Sequence, residues 1–477
     1  MNRFFVAVGA GVAVLLSGGA ARAQLAELAE GVEVGAWTFR PLIDVRVRGE
    51  YRHAPVDTGG DEHASSAVLR DAYASALPGL AAVGPAVDHQ WLVAERARLG
   101  VEVLYDDVAS ARFVLQDARV LGVAPGIGAG ADTGGLGVLE PIEANVAVHS
   151  KDDLVALRLG RQRVAWGEGR LLGDADFRAR GRALDAAKLG FHVDDFDLEM
   201  LGALLAPPGD LPPEAPVADA GIGAGAQLYG LRAAYRPFPY FGFELVALGR
   251  VAREPLPSTL TPSDVGVADA RFFGDHRGVV YSLEGAVEVG RVASYGDSRS
   301  LLAFAAAGQV LWTTSLPGKL AFGAFGAYAS GEDEPSDPKG SLQRFDPILP
   351  DGHAHHGFLD LYGWSNMFDA GARMEVVPDD LVRLALAGAF VGLAQPADRW
   401  STESLEPVGA APGNESRVLG GEVDLELAVE PWENVRFDVG YGLFVLGAGG
   451  KAVLEAAGRG SRDVLHGLSL DARIHAP

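Results

Sequence analysis

One stretch of the chain decides the fold class: Arg96-Ala97-Arg98-Leu99-Gly100-Val101-Glu102-Val103. Apolar side chains occupy every odd position, and charged residues or glycine occupy every even position. Successive side chains of a β-strand point to opposite faces, so this stretch predicts a strand with one apolar and one charged face. The same two-residue period recurs at 43–51, 436–443 and 468–475.

A soluble β-sandwich would also alternate, but the lengths of strands and connectors favour a membrane barrel. The alternating segments run about 10–13 residues, enough to cross a bilayer at a tilt, whereas soluble strands average about half that length. Short turns lie at 106–107, 150–152, 236–239, 378–380 and 431–433, and long loops lie at 53–89, 121–140, 207–225, 331–356 and 393–416. Short periplasmic turns and long outer loops are typical of bacterial barrels.

Strict alternation of short and long connectors also predicts how many strands there are. The strands fall near 37–52, 90–105, 108–120, 141–149, 153–164, 182–193, 196–206, 226–236, 241–252, 265–274, 279–292, 300–313, 319–330, 366–377, 381–392, 417–429, 433–446 and 463–475. Segment 265–274 is included because the count would otherwise be odd. We therefore predict an all-β fold, a transmembrane antiparallel β-barrel of about 18 strands with short periplasmic turns and long outer loops.

The N-terminus has the three parts of a secretory signal: Arg3, the apolar stretch 4–16, and the small-residue site Ala21-Arg22-Ala23. The apolar stretch is too short for a membrane span, so cleavage before Gln24 is expected. We expect residues 1–23 to be a signal peptide, residues 24–477 to form a single barrel domain, and the protein to reside in the cell outer membrane.

Composition excludes several function classes. The 477 residues carry 63 acids against 40 Lys and Arg, a net charge of -23, which argues against a nucleic-acid binder. Having no Cys excludes disulfides, thiolate zinc sites, iron–sulfur clusters and a Cys nucleophile. No Gly-x-Ser-x-Gly, His-Glu-x-x-His or phosphate-loop motif is present, so no enzyme activity and no cofactor are expected.

Positive charge is concentrated in residues 158–188, which hold 8 bases and 4 acids. Arg96, Arg98 and Arg112 lie on the polar positions of neighbouring strands. If those positions face the lumen, the arginines line a pore wall, where guanidinium groups suit carboxylates and select anions. Alternatively, they pair with nearby acids for stability alone.

Two further clusters of residues each allow two interpretations. The acidic segment Gly331-Glu332-Asp333-Glu334 is either a solvated loop or a site for a divalent cation, and it lies over the proposed exit. His353, His355 and His356 suggest either a metal site or residues that pack a loop.

Short motifs along the chain together resemble the alginate export family. The resemblance rests on residues 157–162, 167–173, 177–178, 182–185, 345–350, 352–353, 362–366, 420–425 and 441–444. Members of that family are outer-membrane β-barrels, and the type member has 18 strands. One departure is the ending Ile474-His475-Ala476-Pro477, which lacks a terminal aromatic residue.

The resemblance implies a passive conduit with an arginine-rich constriction for an acidic polysaccharide. The matching candidate pore residues are Arg96, Arg98, Arg112, Arg158, Arg161, Arg163, Arg178 and Arg182. Arg161 falls on the lipid-facing positions of its strand, so it requires a bulge or a place at the rim.

The first hypothesis is thus a monomeric outer-membrane channel that exports an anionic, alginate-like polyuronate. Its expected partners are outer-membrane lipid and the polysaccharide, with periplasmic secretion components as further candidates. The second hypothesis is a general or substrate-specific porin for the uptake of small anions or sugars. The third is an outer-membrane hydrolase, which would need a catalytic site at the rim.

Overall fold

The chain forms a closed antiparallel barrel of 18 strands in the computed structural model, as predicted. The structure describes residues 31–476 apart from 54–88, 107, 122–137, 207–224, 253–262, 295–296, 317, 336–339, 404, 406 and 461. The predicted signal peptide and most of the outer loops at 53–89, 121–140 and 207–225 lie outside the described residues.

The barrel strands follow one another around the wall in chain order. They are β2 Trp37–His53, β3 His89–Tyr105, β4 Ala109–Leu121, β5 Val138–His149, β6 Val155–Gln162, β7 Leu184–Val193, β8 Phe196–Ala206, β9 Ala226–Phe238, β10 Phe241–Ala252, β11 Ser263–His276, β12 Val279–Ser294, β13 Asp297–Thr313, β14 Ala321–Ala329, β15 Met367–Asp379, β16 Val382–Leu393, β19 Val418–Trp432, β20 Val435–Leu446 and β21 Val464–Ala476. A short β1, Val32–Val34, extends the edge of β2. The ribbon β17 Trp400–Ser401 and β18 Pro407–Gly409 and helix α1 Ala448–Ala456 lie in connectors.

The barrel closes where its first strand pairs with its last. Strand β2 pairs with β21 from Ile43↔Ala476 to His53↔His466. The C-terminal segment therefore completes the wall without a terminal aromatic residue. The strand predicted at 265–274, which had rested on parity, is the 14-residue β11.

The two faces of the wall differ as the alternation requires. Outward side chains such as Leu283, Leu302 and Phe304 are 60%, 61% and 54% exposed, whereas the inward Glu284 and Glu288 are buried. Apolar groups outside and charges inside suit a wall between lipid and a polar lumen. No helix among the described residues is long and apolar enough to cross a bilayer.

Aromatic pairs mark both ends of the outward face. The rings of Trp37 and Tyr105 lie 4.6 Å apart next to a short turn, and those of Tyr51 and Trp91 lie 4.5 Å apart at the opposite end. Amphipathic rings at these heights match the interfacial girdles of membrane barrels.

Three long connectors at one end fold back into the lumen. We name their described residues the first inner loop (163–183), the second inner loop (330–335 and 340–366) and the third inner loop (394–403, 405 and 407–417). Backbone hydrogen bonds join the first two: Gly173 N–H donates to Leu349 O at 2.9 Å, and Leu349 N–H donates to Leu171 O at 3.0 Å. Burial of large apolar side chains, including Phe345, Trp364 and Trp400, fixes the loops within the barrel.

Glycine is required where the first two inner loops meet. A Cβ added at Gly173 would lie 2.5 Å from Asp351 Cβ, closer than carbon atoms can approach. The absence of a side chain therefore lets these loops pack closely across the lumen.

The lipid-facing assignment predicts the effect of Val287→Arg, at the middle of β12 and 47% exposed on the outward face. A charge near the bilayer midplane should lower the free energy of unfolding by about 2–4 kcal/mol. Gln309→Arg is the control, because Gln309 faces the lumen and donates to the Glu168 carboxylate. Urea unfolding in lipid vesicles measures both variants, and equal stability of Val287→Arg and the wild type would contradict the assignment.

Candidate functional site

Four arginines stand side by side on the lumenal wall. Arg436, Arg473, Arg46 and Arg96 occupy directly paired positions on β20, β21, β2 and β3. We call these four residues the arginine row. Adjacent strands lie about 4.8 Å apart, and like charges opposite each other are destabilising, so the row needs counter-charges.

Wall carboxylates supply part of this counter-charge. Asp438 lies 2.8 Å from Arg436 Nη2, and Asp471 accepts a 2.6 Å hydrogen bond from Arg46 Nε. Asp44 is shared, at 2.7 Å from Arg473 and 3.1 Å from Arg96. Such charge-assisted contacts are among the stronger hydrogen bonds in proteins.

A further carboxylate, Asp176, comes from the first inner loop. Its oxygens lie 2.6 Å from Arg98, 3.0 Å from Arg163, 3.2 Å from Arg96 and 3.3 Å from Arg473. Burial alone would raise the pKa of Asp176, but the surrounding guanidinium groups hold it well below its ordinary range. Asp176 is therefore ionised at every physiological pH.

Wall arginines also hold the loop backbone around this carboxylate. Arg46 Nη1 donates to Phe177 O at 2.7 Å, and Arg96 Nη1 donates to Asp176 O at 2.8 Å. The Phe177 ring stacks on His353 with centroids 3.2 Å apart, and the Arg48 guanidinium lies 4.1 Å from its centre. The loop is thus fixed against one side of the lumen.

The opposite wall carries a ladder of ion pairs. Lys188 meets Glu199 at 2.8 Å, and Glu244 meets Arg232 at 3.3 Å and Arg271 at 2.8 Å. Each charge of this ladder has an oppositely charged neighbour.

A water-accessible cavity of about 520 Å³ lies between the loops and the wall. Its charged lining comprises Arg46, Arg170, Arg373, Arg383, Arg436 and Arg473 with Asp176, Asp369, Asp424, Glu426, Asp438 and Asp471. Because positive and negative side chains are equal in number here, the selectivity for anions over cations depends on which of these side chains are exposed to water. Arg383 and Arg436 have the most exposed side chains of these six arginines, at 39% and 40%.

The predicted pore arginines on the strands differ in position. Arg96 and Arg98 are lumenal and only 2% and 4% exposed. Arg112 lies 3.3 Å from Glu143, and Arg158 donates to Asn145 Oδ1 at 3.3 Å, both on the lumenal wall. Arg161 instead pairs at 3.2 Å with Asp185, which is exposed on the outward face.

The other predicted arginines belong to the first inner loop. Arg163 joins the contacts around Asp176. Arg178 forms a buried 2.9 Å ion pair with Glu403 of the third inner loop. Arg182 Nη1 donates to Leu349 O at 2.6 Å and to Gly173 O at 2.8 Å, and burial lowers its pKa to about 10. Arg178 and Arg182 therefore hold loops together.

Several lumenal arginines were missed as site residues. They are Arg46, Arg373, Arg383, Arg436 and Arg473. Their place on the polar positions of predicted strands is the sequence feature that could have identified them. They are scattered along the chain, and only strand pairing and barrel closure bring them together.

The acidic segment and the histidines have internal partners. Glu332 is buried and accepts from Gln343 N–H at 3.1 Å. His353 Nδ1 lies 2.8 Å from Asp360 Oδ1, and His355 Nε2 lies 2.7 Å from Glu168 O. Within the described ranges, no group of three or more His, Asp or Glu side chains is arranged to hold a metal ion.

His353 makes loop packing sensitive to pH. Burial, aided by nearby Arg48, lowers its pKa to about 4, whereas a released loop would restore about 6.5. The released loop therefore binds the extra proton between these values, so the packed state loses stability as pH falls through that window. We expect current fluctuations of single channels to increase from pH 6.5 to pH 5.

His353→Phe should weaken this dependence, because it keeps an aromatic ring against Phe177 and removes the titrating group. Single-channel recordings of both proteins across the same range measure the effect. An identical pH response in the variant would show that another group is responsible.

Comparisons with known proteins agree with this architecture. The sequence model of the alginate export family matches residues 227–464. A search of curated protein sequences found no match.

Solved structures show the same fold. Pseudomonas aeruginosa OccK5 (OpdH) superposes with a TM-score of 0.53 at 10% identity, covering 91% of this chain and 98% of its own. Acinetobacter baumannii OccAB1 gives 0.53 at 11%, covering 92% and 96%, and P. aeruginosa OccK9 (OpdG) gives 0.53 at 13%, covering 91% and 98%. With its family match over residues 227–464 and its closed 18-stranded barrel, this chain belongs to the alginate export family and is an outer-membrane channel, not an enzyme.

Proposed function

We propose that the channel passes an anionic polysaccharide of the alginate-like polyuronate class, in the direction of export. The arginine row carries the proposal, since it places four adjacent guanidinium groups on one side of the lumen. The planar guanidinium can bind a carboxylate through two parallel hydrogen bonds, and a polyuronate presents one carboxylate on each sugar.

Conduction requires contacts that are favourable but weak enough to release the polymer. The row arginines are already paired with Asp438, Asp471 and Asp44. The substrate therefore gains only the difference in free energy between an arginine's contact with the substrate carboxylate and its contact with the wall carboxylate. The side chains of Arg436 and Arg473 remain 40% and 33% exposed and can donate hydrogen bonds to a passing anion. Successive exchanges would let the chain slide without an energy source in this protein.

Diffusion of small anions or sugars is the second candidate function. The equal numbers of arginines and carboxylates around the cavity support it, as do the inner loops that cross the lumen. A channel for small solutes would be indifferent to long polyuronate, whereas a polymer conduit would be blocked by it. The first proposal also includes a signal peptide at residues 1–23, a monomeric channel and periplasmic secretion partners.

Arg473→Gln tests the arginine row. Loss of this lumenal charge should reduce the anion-to-cation permeability ratio by about threefold, corresponding to about 0.7 kcal/mol for one screened charge. Reversal potentials in planar bilayers under a KCl gradient measure the ratio.

Arg161→Gln is the matched control, because it removes an arginine whose ion pair lies on the outward face. Its permeability ratio should stay at the wild-type value. An equal fall in both variants, or no fall in Arg473→Gln, would overturn the role of the row.

A further inference from the structure

We propose that the Asp176 carboxylate is a built-in occupant of a carboxylate-binding site formed by Arg96, Arg98, Arg163 and Arg473, and that a uronate carboxylate displaces it. The inference rests on the proposed function and names the site where the substrate's charged group binds. Asp176 would thereby set the affinity of the channel for its substrate.

The geometry is that of an anion site. Four guanidinium groups from β3, β21 and the first inner loop converge on one carboxylate, at 2.6–3.3 Å. Three of these arginines stand on the barrel wall, where strand pairing fixes them. The backbone positions of these three arginines therefore do not depend on the loop that supplies the anion.

The wall leaves the site short of negative charge. Arg96, Arg98 and Arg473 all draw on Asp44, at 3.1, 3.7 and 2.7 Å. One wall carboxylate among three cations leaves room for another anion, which Asp176 now provides. Asp176 is 22% exposed and lines the water-accessible cavity, so a solute can reach the place it occupies.

The loop has other anchors that would hold it without this carboxylate. Arg46 donates to the Phe177 carbonyl, Arg178 pairs with Glu403, and Arg182 donates to Leu349 O. Neutralising Asp176 would thus remove the resident negative charge from the arginine site while the first inner loop stays in the lumen. If Asp176 served only to pin the loop, its loss would free the loop and leave carboxylate affinity unchanged.

Asp176→Asn tests the inference, with glucuronate as the probe and glucose as the neutral control. Block of KCl current in planar bilayers gives the apparent Kd. We expect Asp176→Asn to bind glucuronate at least about tenfold more tightly than the wild type, because guanidinium groups without a resident anion bind carboxylates more strongly. Glucose should not block either protein.

Glu199→Gln is the matched control for charge. Glu199 is 21% exposed in the lumen and pairs with Lys188 and Arg232 on the opposite wall, so its neutralisation adds the same charge away from the site. Its glucuronate affinity should change less than about threefold, an effect of lumenal charge alone. Asp176→Glu keeps the carboxylate and should retain the wild-type affinity.

Two results would separate the possibilities. Equal affinities in Asp176→Asn and Glu199→Gln would overturn the inference, even if polyuronate blocks the wild type and the proposed function stands. Tighter glucuronate binding in Asp176→Asn without any polyuronate block would support the site and overturn the polymer function. Heat-modifiable gel mobility checks that the barrel is folded, and Asp176→Ser replaces Asp176→Asn if that variant fails to fold.

Discussion

The pairing of β2 with β21 is the contact on which the lumen depends. Its register sets Arg46 opposite Arg473, and the next two pairings add Arg96 and Arg436 to complete the arginine row. A slip of one residue in this pairing would put Arg46 and Arg473 on opposite faces of the wall. Closure of the barrel therefore fixes both the fold and its positive wall.

The arginine row in turn explains why the first inner loop enters the barrel. Four like charges at strand spacing repel, and wall carboxylates offset only part of that repulsion. The loop supplies the carboxylate of Asp176 and two carbonyl oxygens to these guanidinium groups. Apolar burial of Trp364 and Trp400 then holds the other inner loops beside it. The first inner loop and the arginines of the wall therefore stabilise each other's positions.

Much of the fold was predictable because strand alternation is a local property. Each of the 18 predicted segments corresponds to a strand, including β11, whose assignment rested on parity. The outward position of Arg161 also followed from parity, and the structure pairs it with the exposed Asp185. The inner loops lack such a period, so their return into the lumen could not be read from the sequence.

The candidate site was predictable only in part, because it depends on contacts between distant strands. Arg96 and Arg98 stand close together in the chain and were identified as lumenal. Arg473 lies more than 370 residues further on, and nothing local indicates that it shares Asp176 with them. In the sequence, Arg178 and Arg182 resemble pore residues. In the structure they hold loops together, because Arg178 pairs with the Glu403 carboxylate and Arg182 donates to the Leu349 carbonyl.

Under the proposed function, this lumen recognises the carboxylates of a polymer. The most direct test of this recognition compares interruptions of ion current through the wild-type channel by an oligouronate and by the same oligomer with its carboxyl groups reduced to alcohols. Length and stiffness are matched, so only charge differs. We expect well-resolved blocking events with the anionic oligomer and none with the neutral one at equal concentration. Equal blocking by both oligomers, or by neither, would contradict it.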